Sequence, residues 1–265
     1  MNSKTYSREQ RTRYRQRLLE NLDRFAGFLS TAKFADTASI GLELELNLTN
    51  QDFTPALRNT AVLEEIADPA FQTEIGAFNI EMNHPALSIN GSGLRDLEDS
   101  LRYQLNRADT RAAELKTEIL MVGILPTFQP AVLEDREWLS AGKRYAALNT
   151  SVLQARGEDV HVDLRAAEAL SFYAKNIAPE AACTSVQLHL EVSPEDFAPA
   201  WNAAQIIAAP QVALAANSPV FLEHVLWHET RIELFKQAID TRPPEMRNQG
   251  AAACLVRGAV DHLDF

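Results

Sequence analysis

Cysteine is scarce: Cys183 and Cys254 are the only two in 265 residues. Two cysteines make neither a disulfide framework nor a zinc-ligand spacing, which fits a reducing compartment and a buried structural thiol at Cys183. Long apolar runs are also missing. The longest, "ILMVGIL" and "AAQIIAAPQVALAA", are too short or too interrupted by proline to span a bilayer, and Met1 to Arg13 is polar with no signal-peptide core. The expectation is a cytoplasmic protein with no membrane partner. Positive charge is in deficit, with 25 basic against 36 acidic residues and a formal net charge of -11. That balance opposes binding to a phosphate backbone, so no nucleic-acid partner is expected. There is no internal repeat, low-complexity tract or clear linker.

What is present is enough apolar residue, 46% of the chain, to bury a sizeable core. Residues 8–31 space Tyr14, Leu18, Leu22, Phe25 and Leu29 helically, which predicts a helix that docks through one apolar stripe. The stretch "SIGLELELNL" (39–48) then switches to period two. Leu42, Leu44, Leu46 and Leu48 share one face of a strand, and Glu43, Glu45 and Asn47 share the other. Residues 93–117 read as a long amphipathic helix capped by Ser92 or Gly93, and 118–125 as a buried strand ended by Pro126. "TSVQLHLEV" (184–192) alternates again, with Val186, Leu188, Leu190 and Val192 inward and Gln187, His189 and Glu191 opposite. Ser193 as N-cap and Pro194 at the first helical position then open a helix over 195–216, interrupted at Pro199 and Pro210. Strands with one polar face, separated by helices, predict an α+β fold: a mostly antiparallel sheet with an acid-lined face, flanked by helices.

The acids carry the chemistry. Residues i and i+2 of a strand stand roughly 6.5 to 7 Å apart on one side, so Glu43 and Glu45 can converge on one ion or on adjacent ions. In "FQTEIGAFNIEMNHP" (71–85), Glu81 shares a strand face with Asn79 and Asn83, and Glu74 lies seven positions earlier. Seven is odd, so a bulge or turn near Gly76 is required to bring Glu74 and Glu81 together. Gln187 and His189 supply a third polar face, and three strands of the same design predict one shared acid-lined cavity. An oxygen-rich set with at most one imidazole suits Mg²⁺ or Mn²⁺ better than zinc. Glycoside hydrolysis also uses paired acids, but it needs two and no metal. More than two acids favour a metal. Arg144 in "GKRYAAL" and Arg231 in "LWHETRIELF" can each clamp a phosphate or a carboxylate. Arg231 and Arg144 are the expected catalytic residues, and Arg231 and Asn79 the expected substrate contacts.

These blocks, together with "GILPT", "KRYAALN", "ANSP" and "ETRIELFKQAIDTR", resemble glutamate-cysteine ligase type 2, a family of carboxylate-amine ligases related in fold to glutamine synthetase. The resemblance runs from about Ile40 to Gly250. It implies an incomplete glutamine synthetase-like catalytic domain over 39–250, preceded by a helical segment over 1–38. It also implies an ATP-dependent ligase that joins the side-chain carboxylate of glutamate to an amine such as cysteine. The γ-phosphate of ATP, the co-substrate, activates the carboxylate as an acyl phosphate that the amine then displaces. By the resemblance, Glu43 and Glu45 match first-strand metal ligands, and Glu74 and Glu81 match the acidic pair of the second motif. Gln187 falls where some relatives have a histidine ligand, with His189 two positions later, which leaves open which of them meets metal. Arg231 resembles an arginine expected to meet phosphate or substrate.

After "MRNQG" the tail over 251–265 departs from the pattern, where relatives continue with something like Trp-Phe-Gly-Glu-Arg-Trp-Ile. Codons for Leu255 to Leu263 can be chosen so that, read one base later, they spell that run. The expectation is a frameshift that truncates the protein, and the alternative to an active ligase is an inactive remnant that keeps only metal or nucleotide binding.

Overall fold

The computed structural model describes residues 6–34 and 38–242. The aberrant tail expected over 251–265 lies outside them. In chain order the elements are α1 (Arg8–Leu29), β1 (Ser39–Thr49), α2 (Asn59–Ile66), β2 (Phe71–Thr73), β3 (Asn79–Ser88), α3 (Gly93–Glu114) and β4 (Glu118–Leu120). There follow α4 (Pro130–Glu134), α5 (Lys143–Arg156), β5 (Val160–Arg165), β6 (Ala169–Ala174) and α6 (Ala178–Ala181). The last are β7 (Val186–Leu190), α7 (Phe197–Ala215), β8 (Val220–Phe221), β9 (His224–Val225) and α8 (Thr230–Ile239). The fold is α+β, and every pairing between the named strands is antiparallel.

β1 is the middle of the main sheet. β3 runs along one edge of it, carrying β2 outside, while β7 and β4 share the other edge end to end. Alternation in the sequence decides the two faces. Leu42, Leu44, Leu46, Leu48, Ile80 and Met82 point to one side, where Val62 and Ile66 of α2 and Ala108 and Ala112 of α3 cover them. The small alanines of α3 let that helix lie close to the sheet. The opposite side carries the glutamates and asparagines.

A second core holds the chain behind the β2–β3 hairpin. Phe78, Phe128 and Phe221 are almost wholly buried, with the Phe78 and Phe128 rings edge to face at 5.1 Å. This cluster includes Val160, Val162 and Leu164 of β5 and Leu234 of α8. Full burial of such side chains contributes roughly 1.5 to 3 kcal/mol each.

Several elements differ from the sequence expectations. α1 has a capping box from Ser7 and Gln10, but none of its residues is buried, so its apolar stripe meets no cover among the described residues. Val186, Leu188 and Leu190 of β7 are also exposed, at 54 to 60%. Alternation puts these side chains on one face; it does not supply a neighbour to cover them. The strand expected over 118–125 stops at Leu120, because the Gly123 amide bonds the Asn217 side chain and its carbonyl accepts from Thr184. The helix expected over 195–216 begins at Phe197, and its cap moves three residues on from Ser193. Ser193 closes a turn through Asp196 instead, and Asp196 takes the cap position. Neither proline interrupts α7. Pro199 sits in the first turn, where no amide donor is missed, and the helix runs on past Pro210. No described helix is long and apolar enough to cross a membrane.

Candidate functional site

Register builds the site. Glu45 of β1 stands opposite Glu81 of β3, and Gln72 of β2 stands on the far side of Glu81. Glu74 follows β2 in the turn 74–78 that reverses the chain into β3. This turn is stapled at several points. The Ser140 amide bonds the Ile75 carbonyl at 2.9 Å, Ala77 bonds Trp138 at 2.7 Å, and Asn79 closes onto Gly76 at 2.9 Å. A side chain at Gly76 would place its Cβ 2.5 Å from Asn79 Oδ1, so the tight turn needs glycine there. The result is that one oxygen each from Glu45, Glu74 and Glu81 lies within 4.8 Å of the other two.

Neutral donors orient all three. The Ser185 amide donates to Glu45 Oε2 at 2.9 Å and its hydroxyl to Glu45 Oε1 at 3.0 Å. Gln72 and Asn83 both donate to Glu81 Oε1, at 2.6 and 2.7 Å, and the Ile75 amide donates to Glu74 Oε1 at 2.9 Å. No lysine or arginine pairs with any of the three among the described residues. Burial, with the neighbouring carboxylates adding, pushes the Glu74 carboxyl up to about 7. Burial also raises Glu45, against the opposing bonds from Ser185. Crowded, partly desolvated and without an ion-pair partner among the described residues, the trio could hold a cation, which would offset its mutual repulsion. Its donors are carboxylate oxygens alone, the chemistry of Mg²⁺ or Mn²⁺ rather than zinc.

The remaining expected residues fall around this trio. Glu43 lies on the same face, opposite Asn83 on one side and Gln187 on the other, and His189 Nε2 is 3.4 Å from Glu43 Oε1. Glu43, Gln187 and His189 thus form a second, more open group beside the three acids. Arg144 stands at the rim and senses Glu74 and Glu81. Its guanidinium lies 4.5 Å from the centre of the Tyr145 ring, bonds the Tyr145 hydroxyl, and reaches the Thr73 carbonyl at 3.2 Å. Arg231, in the first turn of α8, is ion-paired with Glu229 and donates to the Thr184 carbonyl at 2.6 Å. It lines a cleft of about 590 Å³ together with Glu45, Ser185 and Asn217. Asn79 is wholly buried, and its amide donates to Asn47 Oδ1 at 3.1 Å beneath the acid face.

Sequence reasoning passed over Ser185, the role of Gln72, and Glu180. The first two have a signal in hindsight, since strand register alone sets a polar residue opposite Glu45 and opposite Glu81. Glu180 has none. It sits on the four-residue helix α6, one of its oxygens is buried without a hydrogen-bond partner, and burial pushes its carboxyl up to about 7.

No curated protein gives a significant match to the chain. The sequence profile of glutamate-cysteine ligase family 2 matches residues 39–259, from the first residue of β1 onward. With well over half of its length matched, and with the acidic strands inside that match, the chain belongs to glutamate-cysteine ligase family 2.

Proposed function

We propose that this chain is an ATP-dependent ligase that joins the side-chain carboxylate of glutamate to an amine such as cysteine, by way of an acyl phosphate. The reading rests on family membership and on one observation: three converging carboxylates that form no ion pair with a lysine or arginine among the described residues. Glu45, Glu74 and Glu81 would hold Mg²⁺ or Mn²⁺. When bound, such an ion supplies charge neutralisation for the phosphate oxygens of ATP.

The chain's own side chains then position and screen. In phosphoryl transfer the protein mainly aligns groups and offsets developing charge, so fixed carboxylates and fixed guanidinium groups are the working parts. Arg144, held against Tyr145 at the rim, and Arg231, held by Glu229 and Thr184 in the cleft, are suited to phosphate or to the carboxylate of glutamate. The pair of Glu43 and His189 borders the same face and gives a polar wall on the side of β7.

Purified protein incubated with Mg²⁺, ATP, glutamate and a panel of amines tests this. The expected outcome is release of ADP and phosphate in step with a new amide. Folded protein that turns nothing over but still takes up Mg-ATP in a calorimetric titration supports the binding-only remnant instead. Folded protein that takes up no Mg-ATP rejects the metal reading.

A further inference from the structure

Glu45 is held differently from its two companions. Leu44 faces Val186 across the β1–β7 ladder, and one step further the Glu45 amide donates to the Ser185 carbonyl at 2.9 Å. The Ser185 amide does not return that bond to the backbone. It turns onto the Glu45 side chain, and the hydroxyl of the same residue takes the other carboxylate oxygen. A single residue, 140 positions away in sequence, therefore engages both oxygens of Glu45. The neutral donors to Glu81 both fall on Oε1, and the neutral donor to Glu74 also falls on Oε1, so among the described residues neither has a neutral donor on each oxygen, and the two carboxyls instead meet each other. A carboxylate held at both oxygens cannot turn about its terminal torsion, the soft rotation of a glutamate.

We infer that Ser185 is a positioning residue that fixes the direction of the Glu45 carboxylate and so sets which cation the acid trio prefers. The inference rests on the metal reading above. Mg²⁺ demands near-ideal octahedral geometry at short distances, whereas Ca²⁺ is larger and accepts one or both oxygens of a carboxylate in flexible arrangements. A locked carboxylate favours the ion with the stricter demand, and a freed one lets the larger ion recover ground. Residues that orient metal ligands commonly cost 10- to 100-fold in affinity when removed.

Ser185→Ala removes the hydroxyl donor and keeps the amide. Ser185→Thr keeps both, and Ser185→Cys keeps the size with a much weaker donor. The measurement is binding of Mn²⁺ to the full chain, read from the paramagnetic resonance signal of the free ion, with Mg²⁺ and Ca²⁺ as competitors. The expected result is about tenfold weaker Mn²⁺ binding in the alanine variant, a narrower preference for Mg²⁺ over Ca²⁺ in both the alanine and cysteine variants, and recovery with threonine. A loss of packing alone would weaken both competitors alike and leave their ratio in place. Unchanged affinity in the alanine variant, an equal loss for Mg²⁺ and Ca²⁺, or no recovery with threonine overturns the inference while the metal reading stands. A parent protein that binds no Mn²⁺ overturns both.

Discussion

Replacing a carboxylate by its amide removes a charge and keeps the shape, which makes glutamine the sharpest probe of single residues here. Glu45→Gln and Glu81→Gln each delete one of three converging charges. Gln72, Asn83 and Ser185 still find an oxygen to bond, so the strands stay paired. Calorimetric titration with Mg-ATP should show binding more than about 100-fold weaker in either variant, beyond the usual loss for residues that only orient a ligand. Circular dichroism should match the parent. Parent-like binding in both variants would contradict the assignment of these acids to a metal. At the same scale, Cys183 is removed from the chemistry. Burial holds its thiol well above the ordinary value, so it stays protonated and makes a poor nucleophile.

The turn 74–78 is the element that makes a site out of a sheet, since it alone carries Glu74 across to Glu81. Phe78 anchors that turn in the core against Phe128, and its carbonyl accepts from the Leu48 amide of β1 at 2.7 Å. Phe78→Ala should cost about 3 to 5 kcal/mol of stability by opening a cavity, measured by urea denaturation. It should also weaken Mn²⁺ binding at temperatures where the variant is still folded. The sequence made the acid faces of β1 and β3 legible, because alternation needs only the strand itself. It also made a turn near Gly76 necessary, because a spacing of seven cannot put two side chains on one face. What covers a face was not legible. The leucines of β1 and those of β7 read alike, yet α2 and α3 cover the first and nothing described covers the second. Glu180 escaped for the same reason, since its role comes from burial, while Ser185 occupied a legible polar position whose partner, Glu45, only long-range pairing supplies.

Summed over the molecule, the buried acids make stability depend on pH. Glu74 and Glu180 have an ordinary value of 4.5 and are pushed up to about 7 in the folded chain. The folded state therefore keeps protons that the unfolded state has released. Their contribution is fully present below about 4.5 and is lost as the pH rises through about 7. In a chelating buffer, the melting temperature should fall between pH 5.5 and 8, and Glu74→Gln should flatten that fall. Saturating Mg²⁺ should raise the melting temperature more at pH 8 than at pH 5.5, because ions bind the deprotonated acids. A melting temperature that climbs from pH 5.5 to 8 in chelator would contradict this account. The wide sequence separation between Glu45 and Ser185 bears on biosynthesis as well. During translation at roughly 5 to 20 residues per second, all three acids leave the ribosome about a hundred residues ahead of the serine, a lag of roughly 5 to 20 s. An ion captured in that interval would meet a looser and less discriminating nest of carboxylates than the finished protein offers.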